Sequence, residues 1–154
     1  MAALLYTTTQ AVRASLGVSD IELTDVQITD LGVVSQLTLD LVEVFPDHAT
    51  LAAIPEQDRT AEETLNFIRL GLYSQYQVAV YLLPAIQLWA VQKLSDGDAE
   101  QTRFMPANLQ DTIDRITGLR DKYAGQLNPD LVINGAAFNV FTLVQPAYDP
   151  VTNT

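Results

Sequence analysis

Few residues in this 154-residue chain could carry catalysis. The chain has one histidine, His48, and no cysteine, so thiolate chemistry is excluded and a Ser–His–Asp set would depend on His48. That histidine follows Pro46 and Asp47, and no Gly-x-Ser-x-Gly turn occurs in the sequence. We therefore predict that His48 is a solvated loop residue and that the protein is not an enzyme.

Metal and phosphate sites have no better support. Asp96, Asp98 and Glu100 share the alternate spacing of the first ligands in a helix–loop–helix calcium site. The sixth position of that pattern would be Gln101 instead of Gly, and the twelfth would be Ala107 instead of Glu. The seven glycines are scattered singly, so no glycine-rich phosphate loop is formed. We expect no metal and no cofactor.

The charged residues are strongly unbalanced. The chain carries 19 acidic against 8 basic residues, a formal net charge of −11, which argues against a protein that wraps nucleic acid or binds anionic membranes. Residues 14–58 contain nine acids and no Lys or Arg, whereas residues 64–95 contain no acid. This pattern predicts that one half of the fold presents an acidic face, carried by Asp20, Glu22, Asp25, Asp30, Asp40 and Glu43.

Caps and apolar periodicity predict the first two helices that must position these groups. Threonine hydroxyls at residues 7–9 can cap a helix over residues 8–16, and Gly17 suits the left-handed position after it. A second helix is predicted over residues 25–45, until Pro46 ends it. Val33, Leu39 and Val42 broaden its apolar face, so a strand over residues 37–45 is the alternative.

The third predicted helix is unusually poor in charge. Thr60 and Glu63 fit a capping box at its start, and residues 70–92 carry no formal charge. A membrane span is disfavoured because five Ser and Gln side chains interrupt this segment, and Pro84 should kink or break the helix. Such a helix suits being surrounded by protein. The side chains that we assign to a subunit interface or to the core are Tyr73, Tyr76, Tyr81 and Trp89.

The last part of the chain changes character. An apolar stripe predicts a fourth helix from its cap at Asn108 to Gly125, and residues 126–154 contain several Pro and Asn-Gly breakers. That segment is too apolar to stay in solvent, which favours extended docking, either on the protein's own body or on a partner. Its predicted anchors are Phe138, Val140, Phe141, Leu143, Val144 and Tyr148. The predicted fold is thus mainly α, with little β: a small bundle of about four helices in residues 1–125, and an arm in residues 126–154.

Several segments resemble one family in their order along the chain. The quoted stretches are YTTTQAVRASLG at residues 6–17, ELTD at 22–25, the long uncharged helix, LSDGDA at 94–99, and Arg103-Phe104. Together they resemble the head-to-tail adaptor (head-completion connector) proteins of tailed bacteriophages. The resemblance implies a structural virion protein in the phage neck, made in the host cytoplasm. It also implies a ring, expected to be dodecameric, that docks on the portal above and receives tail or neck proteins below.

The physical features fit this expectation. A long uncharged helix suits contacts between ring neighbours, and an acidic channel would let DNA pass without specific binding. The N-terminus has no basic segment typical of a signal peptide, so we expect a soluble protein that does not enter a membrane. The alternative function is a small acidic binding protein that imitates DNA and acts on a basic partner as a monomer or dimer.

Overall fold

The computed structural model describes residues 4–95 and 106–131, with side chains described for residues 4–86 and 109–131. These residues form six α-helices: α1 Thr9–Leu16, α2 Asp25–Ile28, α3 Leu31–Val44, α4 His48–Ala53, α5 Ala61–Ser95 and α6 Pro106–Leu127. A short 3-10 turn, Glu56–Asp58, precedes α5, and no strand occurs in the two described ranges. The mainly helical, bundle-like fold class is confirmed. The arm anchors lie outside the described residues.

Local hydrogen bonds explain where two of the helices begin. The backbone N–H of Ala11 donates to the Thr8 hydroxyl at 3.1 Å, which makes Thr8 the N-cap of α1. Gly17 ends this helix with φ +69°, a left-handed backbone that suits glycine. At α5 the Thr60 N–H donates to the Glu63 carboxylate at 2.7 Å, and the Glu63 N–H donates to the Thr60 hydroxyl at 3.2 Å. A threonine cap within residues 7–9, the left-handed glycine and the capping box are confirmed, and α1 begins at Thr9, one residue later than predicted.

The predicted helix over residues 25–45 is wrong in one respect, because it is two helices. The chain turns at Thr29 and Asp30, between α2 and α3. The Asp30 carboxylate accepts from the Gly32 N–H at 2.8 Å and caps α3, while the Thr29 hydroxyl donates to the Asp25 carbonyl at 2.8 Å. Ile28 is fully buried just before this turn and holds α2 against the core. The strand alternative for residues 37–45 is also wrong, since α3 continues to Val44.

Two other predicted boundaries differ from the structure. Pro84 does not break α5, which runs for 35 residues with the proline inside it. Pro84 is exposed, and the extensive packing of α5 against α6 offsets the loss of one backbone hydrogen bond. Helix α6 starts at Pro106 instead of after Asn108, as suits a proline at the first helical position. It ends at Leu127 instead of Gly125, because Ala124 and Leu127 are buried and hold its last turn against the core.

The core lies around α5, with α6, α1, α3 and α4 packed against it. Its fully buried members include Val12 of α1, Leu37 and Leu41 of α3, Leu70 of α5 and Ile116 of α6. Arg115 of α6 donates to the Ser15 carbonyl at 3.0 Å, which satisfies an end carbonyl of α1. Leu131, the last described residue, is half-buried against the same core. None of the helices in the described ranges combines the length and the hydropathy that a bilayer span requires.

Candidate functional site

His48 is not the solvated loop residue that the sequence predicts. It begins α4 and is only 8% exposed. A hydrogen bond of 2.8 Å joins its Nδ1 to the Tyr6 hydroxyl, and the Tyr6 ring meets the His48 and Phe67 rings edge to face. The Arg59 guanidinium lies 3.8 Å from the centre of the Phe67 ring. His48 therefore helps to hold the N-terminal segment against α4 and α5. The residues beside His48 in the sequence could not reveal this role, because its hydrogen-bond partner Tyr6 is 42 residues away.

Asp40 is the centre of a polar contact between α3 and α5. Its carboxylate accepts a hydrogen bond from the Tyr81 hydroxyl and another, of 2.5 Å, from the Gln77 amide. The same Gln77 nitrogen lies 2.9 Å from the Tyr81 hydroxyl, and Gln36 donates to the other Asp40 oxygen at 3.0 Å. We call Asp40, Gln77 and Tyr81 the Asp40 cluster. Because all three side chains are at least partly buried, this cluster fixes how α3 lies on α5.

Replacing Asp40 with Ala is expected to lower the free energy of unfolding by about 1–3 kcal/mol, because the Tyr81 hydroxyl and the Gln77 amide would lose their shared acceptor. The matched control is Glu43→Ala, which removes an exposed carboxylate from the same helix and is expected to change stability by less than about 0.5 kcal/mol. Urea denaturation followed by circular dichroism measures both. Equal losses for the two variants would contradict the assigned role of Asp40.

The Asp40 cluster also predicts sensitivity to alkali. Burial, and then the hydrogen bond to Asp40, raise the pKa of Tyr81 well above its ordinary value of about 10, and burial also raises the pKa of Tyr73. The folded state therefore favours the neutral phenols, so their contribution to stability is complete below about pH 10 and is lost as the pH rises further. We expect the free energy of unfolding to fall above about pH 10, and to fall less steeply in Tyr81→Phe. Urea titrations at a series of alkaline pH values test this, and identical slopes for parent and variant would contradict it.

The acidic side chains predicted to form one face have different surroundings. Asp20, Asp25, Asp30 and Glu43 are exposed, whereas Glu22 and Asp40 are partly buried. Asp25 pairs with Arg13, and hydrogen bonds from Thr9 and then Arg13 lower the pKa of the Asp25 carboxyl. The Glu22 carboxylate accepts from the N–H and the hydroxyl of Ser19, at 2.7 and 2.9 Å.

These contacts mean that several of the predicted acids hold local structure together. Asp30 caps a helix, Asp25 has a cation beside it, and Asp40 joins two helices. Asp20 and Glu43 lie on the surface and contribute to an acidic field there. No group of three or more His, Cys, Asp or Glu residues suited to a metal ion occurs in the part of the chain that the structure describes.

The tyrosines assigned to a core or interface helix pack within this chain. Tyr73 is 3% exposed, and the Tyr76 ring stacks on Tyr123 of α6 with 6.0 Å between ring centres. Tyr81 is part of the Asp40 cluster. The backbone at Trp89 belongs to α5, and its side chain lies outside the described set. The described tyrosines therefore all contribute to packing inside the chain, with Tyr76 and Tyr81 remaining partly exposed.

Exposed apolar side chains mark two other surfaces. In the described part of the chain, seven large apolar side chains are exposed, and five of them belong to residues 14–58: Ile21, Val26, Leu31, Leu39 and Val42. Leu31, Leu39 and Val42, at 73%, 65% and 54% exposure, form what we call the α3 outer stripe. Leu65 and Ile68, at 46% and 54%, form the α5 patch. The broadened apolar face of the second predicted helix was the sequence signal for the stripe; nothing in the sequence distinguished the patch from core.

Comparison with known proteins adds no further assignment. A scan against protein-family models, a search of curated proteins and a search of solved structures each find no match for this chain. The candidate site is therefore defined by its geometry alone: a helical body with an acidic half, and two surfaces that carry exposed apolar side chains.

Proposed function

We propose that this chain is a head-to-tail adaptor of a tailed bacteriophage. In this proposal, copies assemble as a ring under the portal, extend the DNA channel and provide the platform for the tail. The observation that carries it is the set of apolar side chains left exposed on a well-packed helical body, because a protein that acts alone gains nothing from a helix with a second apolar face. The choice of a phage adaptor ring as the assembly comes from the resemblance of residues 6–17, 22–25 and 94–99 to that family.

Two further features support the proposal. The excess of acid in residues 14–58, exposed at Asp20, gives the surface a charge that repels phosphate, as a channel that passes DNA requires. The segment after Leu131 contains the apolar anchors Phe138, Phe141 and Tyr148, which suit docking along another protein. An extended apolar segment gains stability only where its backbone finds hydrogen-bond partners, and a portal surface offers them.

The test mixes purified full-length protein with portal-bearing unfinished heads and examines the portal vertex by negative-stain electron microscopy. Added rings at that vertex are the expected result. Heads without their portal are the control, and they are expected to stay bare.

A small acidic antagonist of a basic protein is the second candidate function, favoured by the surface acids Asp20 and Glu43. Bare portal vertices together with a monomeric, acid-dependent complex with a basic protein would favour this function over the adaptor.

A further inference from the structure

Helix α3 has two apolar faces on opposite sides. Leu37 and Leu41 are fully buried and point into the core, whereas Leu39, between them, is 65% exposed. At about 100° per residue, Leu31, Leu39 and Val42 fall within about 80° of one another on the helix surface. Thus the members of the α3 outer stripe share one face that points away from α5, with the exposed Ser35 and Thr38 between Leu31 and Leu39.

The α5 patch lies on the side of α5 that faces away from α3. Gln77 of α5 contacts α3 through Asp40, and Ile68 precedes Gln77 by nine residues. Nine residues are about two and a half helical turns, so the Ile68 side chain points away from α3. Leu65 lies three residues before Ile68 and shares its face. One subunit therefore presents two apolar surfaces in nearly opposite directions.

We propose that the α3 outer stripe of one copy packs on the α5 patch of the next copy, in a head-to-tail contact. The occupant of each surface is thus a second copy of this chain. Such a contact uses two different surfaces, so it repeats from subunit to subunit and closes into a ring when the rotation allows. The inference rests on the self-assembly in the proposed function, but it requires neither the portal nor the phage.

The distribution of charge favours this pairing over stripe against stripe. The stripe belongs to residues 14–58, which have nine acids and no base, so two stripes face to face would bring two acidic halves together. Residues 59–69 around the patch carry two basic and two acidic side chains, so the surroundings of the patch have no net charge. Glu43 flanks Leu39 and Val42 on α3, and Arg69 follows Ile68 on α5. In the head-to-tail contact, Glu43 beside the α3 outer stripe of one copy therefore faces Arg69 beside the α5 patch of the next copy.

The absence of cysteine makes a clean cross-linking test possible. Leu39→Cys and Ile68→Cys each place one thiol at an exposed position, and the parent chain offers no other thiol. A short bis-maleimide reagent then joins only thiols that a contact between subunits brings together. We expect a covalent heterodimer when the two single variants are mixed, little homodimer from either alone, and a ladder of oligomers from the double variant.

Each other pattern overturns the inference. Efficient homodimers of Leu39→Cys alone would show that two stripes pair with each other. A double variant that stays monomeric, or that cross-links only within one chain, would mean that no neighbour joins these surfaces, as when the C-terminal segment covers the patch. Cross-linking without portal attachment would support this contact between subunits and refute the adaptor function. Rings on the portal without cross-linking would support the adaptor function and refute this contact.

A charge exchange tests the contact between Glu43 and Arg69 of neighbouring copies separately. Glu43→Arg and Arg69→Glu are each expected to weaken self-association several-fold, and the chain with both changes is expected to recover it. Sedimentation velocity over a dilution series measures the association. If self-association does not recover in the double variant, the pairing of Glu43 with Arg69 is overturned.

Discussion

Deleting residues 132–154 is expected to abolish attachment to the portal while leaving the helical body folded. The truncation keeps Leu131, which is half-buried against the core and whose N–H donates to the Asn128 carbonyl at 3.1 Å. The fully buried core residues Leu37, Leu70 and Ile116 all lie on helices that the truncation keeps. Apolar anchors in pockets usually carry most of the affinity in extended docking, so their removal eliminates binding.

The measurement is negative-stain electron microscopy of portal-bearing heads mixed with truncated or full-length protein. Circular dichroism of the truncated protein is the control for folding. Phe141→Ala, in the full chain, is the graded variant and is expected to weaken attachment by about 1–3 kcal/mol. Full attachment of the truncated chain would refute the docking arm. Unfolding on truncation would instead show that residues 132–154 complete the body.

Two leucines on α3 are expected to respond very differently to the same substitution. Leu41→Ala should lower the free energy of unfolding by about 2–5 kcal/mol, because it leaves a cavity at a fully buried position. Leu39→Ala, two residues earlier at 65% exposure, should change that free energy by less than about 0.5 kcal/mol. Self-association should instead be weakened by Leu39→Ala, since Leu39 lies in the α3 outer stripe.

Urea denaturation and sedimentation velocity of both variants separate these effects. Leu39→Ala is expected to be a well-folded protein with impaired assembly. A large loss of stability in Leu39→Ala, or normal assembly of that variant, would contradict a stripe that faces a neighbouring subunit.

The features predicted correctly from the sequence are those set by neighbours along the chain. The Thr8 cap, the left-handed Gly17 and the Thr60–Glu63 capping box each depend on residues within four positions of one another. The division at Thr29 and Asp30 was missed because apolar periodicity continues across it. Only the Asp30 side chain, which can cap a helix as readily as it can lie on one, carried that signal.

The features that the sequence did not predict depend on distant partners. Asp40 meets Gln77 and Tyr81 across 37 and 41 positions, and His48 meets Tyr6 across 42. Apolar periodicity also cannot tell a face that packs inside the subunit from one that is left for a neighbour. The sequence showed that Leu39 and Val42 broaden the apolar face of this helix, but only the packed fold shows that Leu41 is buried and Leu39 exposed.

The central claim is that this chain assembles with copies of itself and with a portal. The most direct measurement is the particle mass in solution, by light scattering after size separation, with and without purified portal protein. We predict a portal-bound species whose added mass is a multiple of the 16.9 kDa chain, consistent with a ring. A monomer or dimer of this chain in both conditions, with no mass added to the portal, would contradict the account.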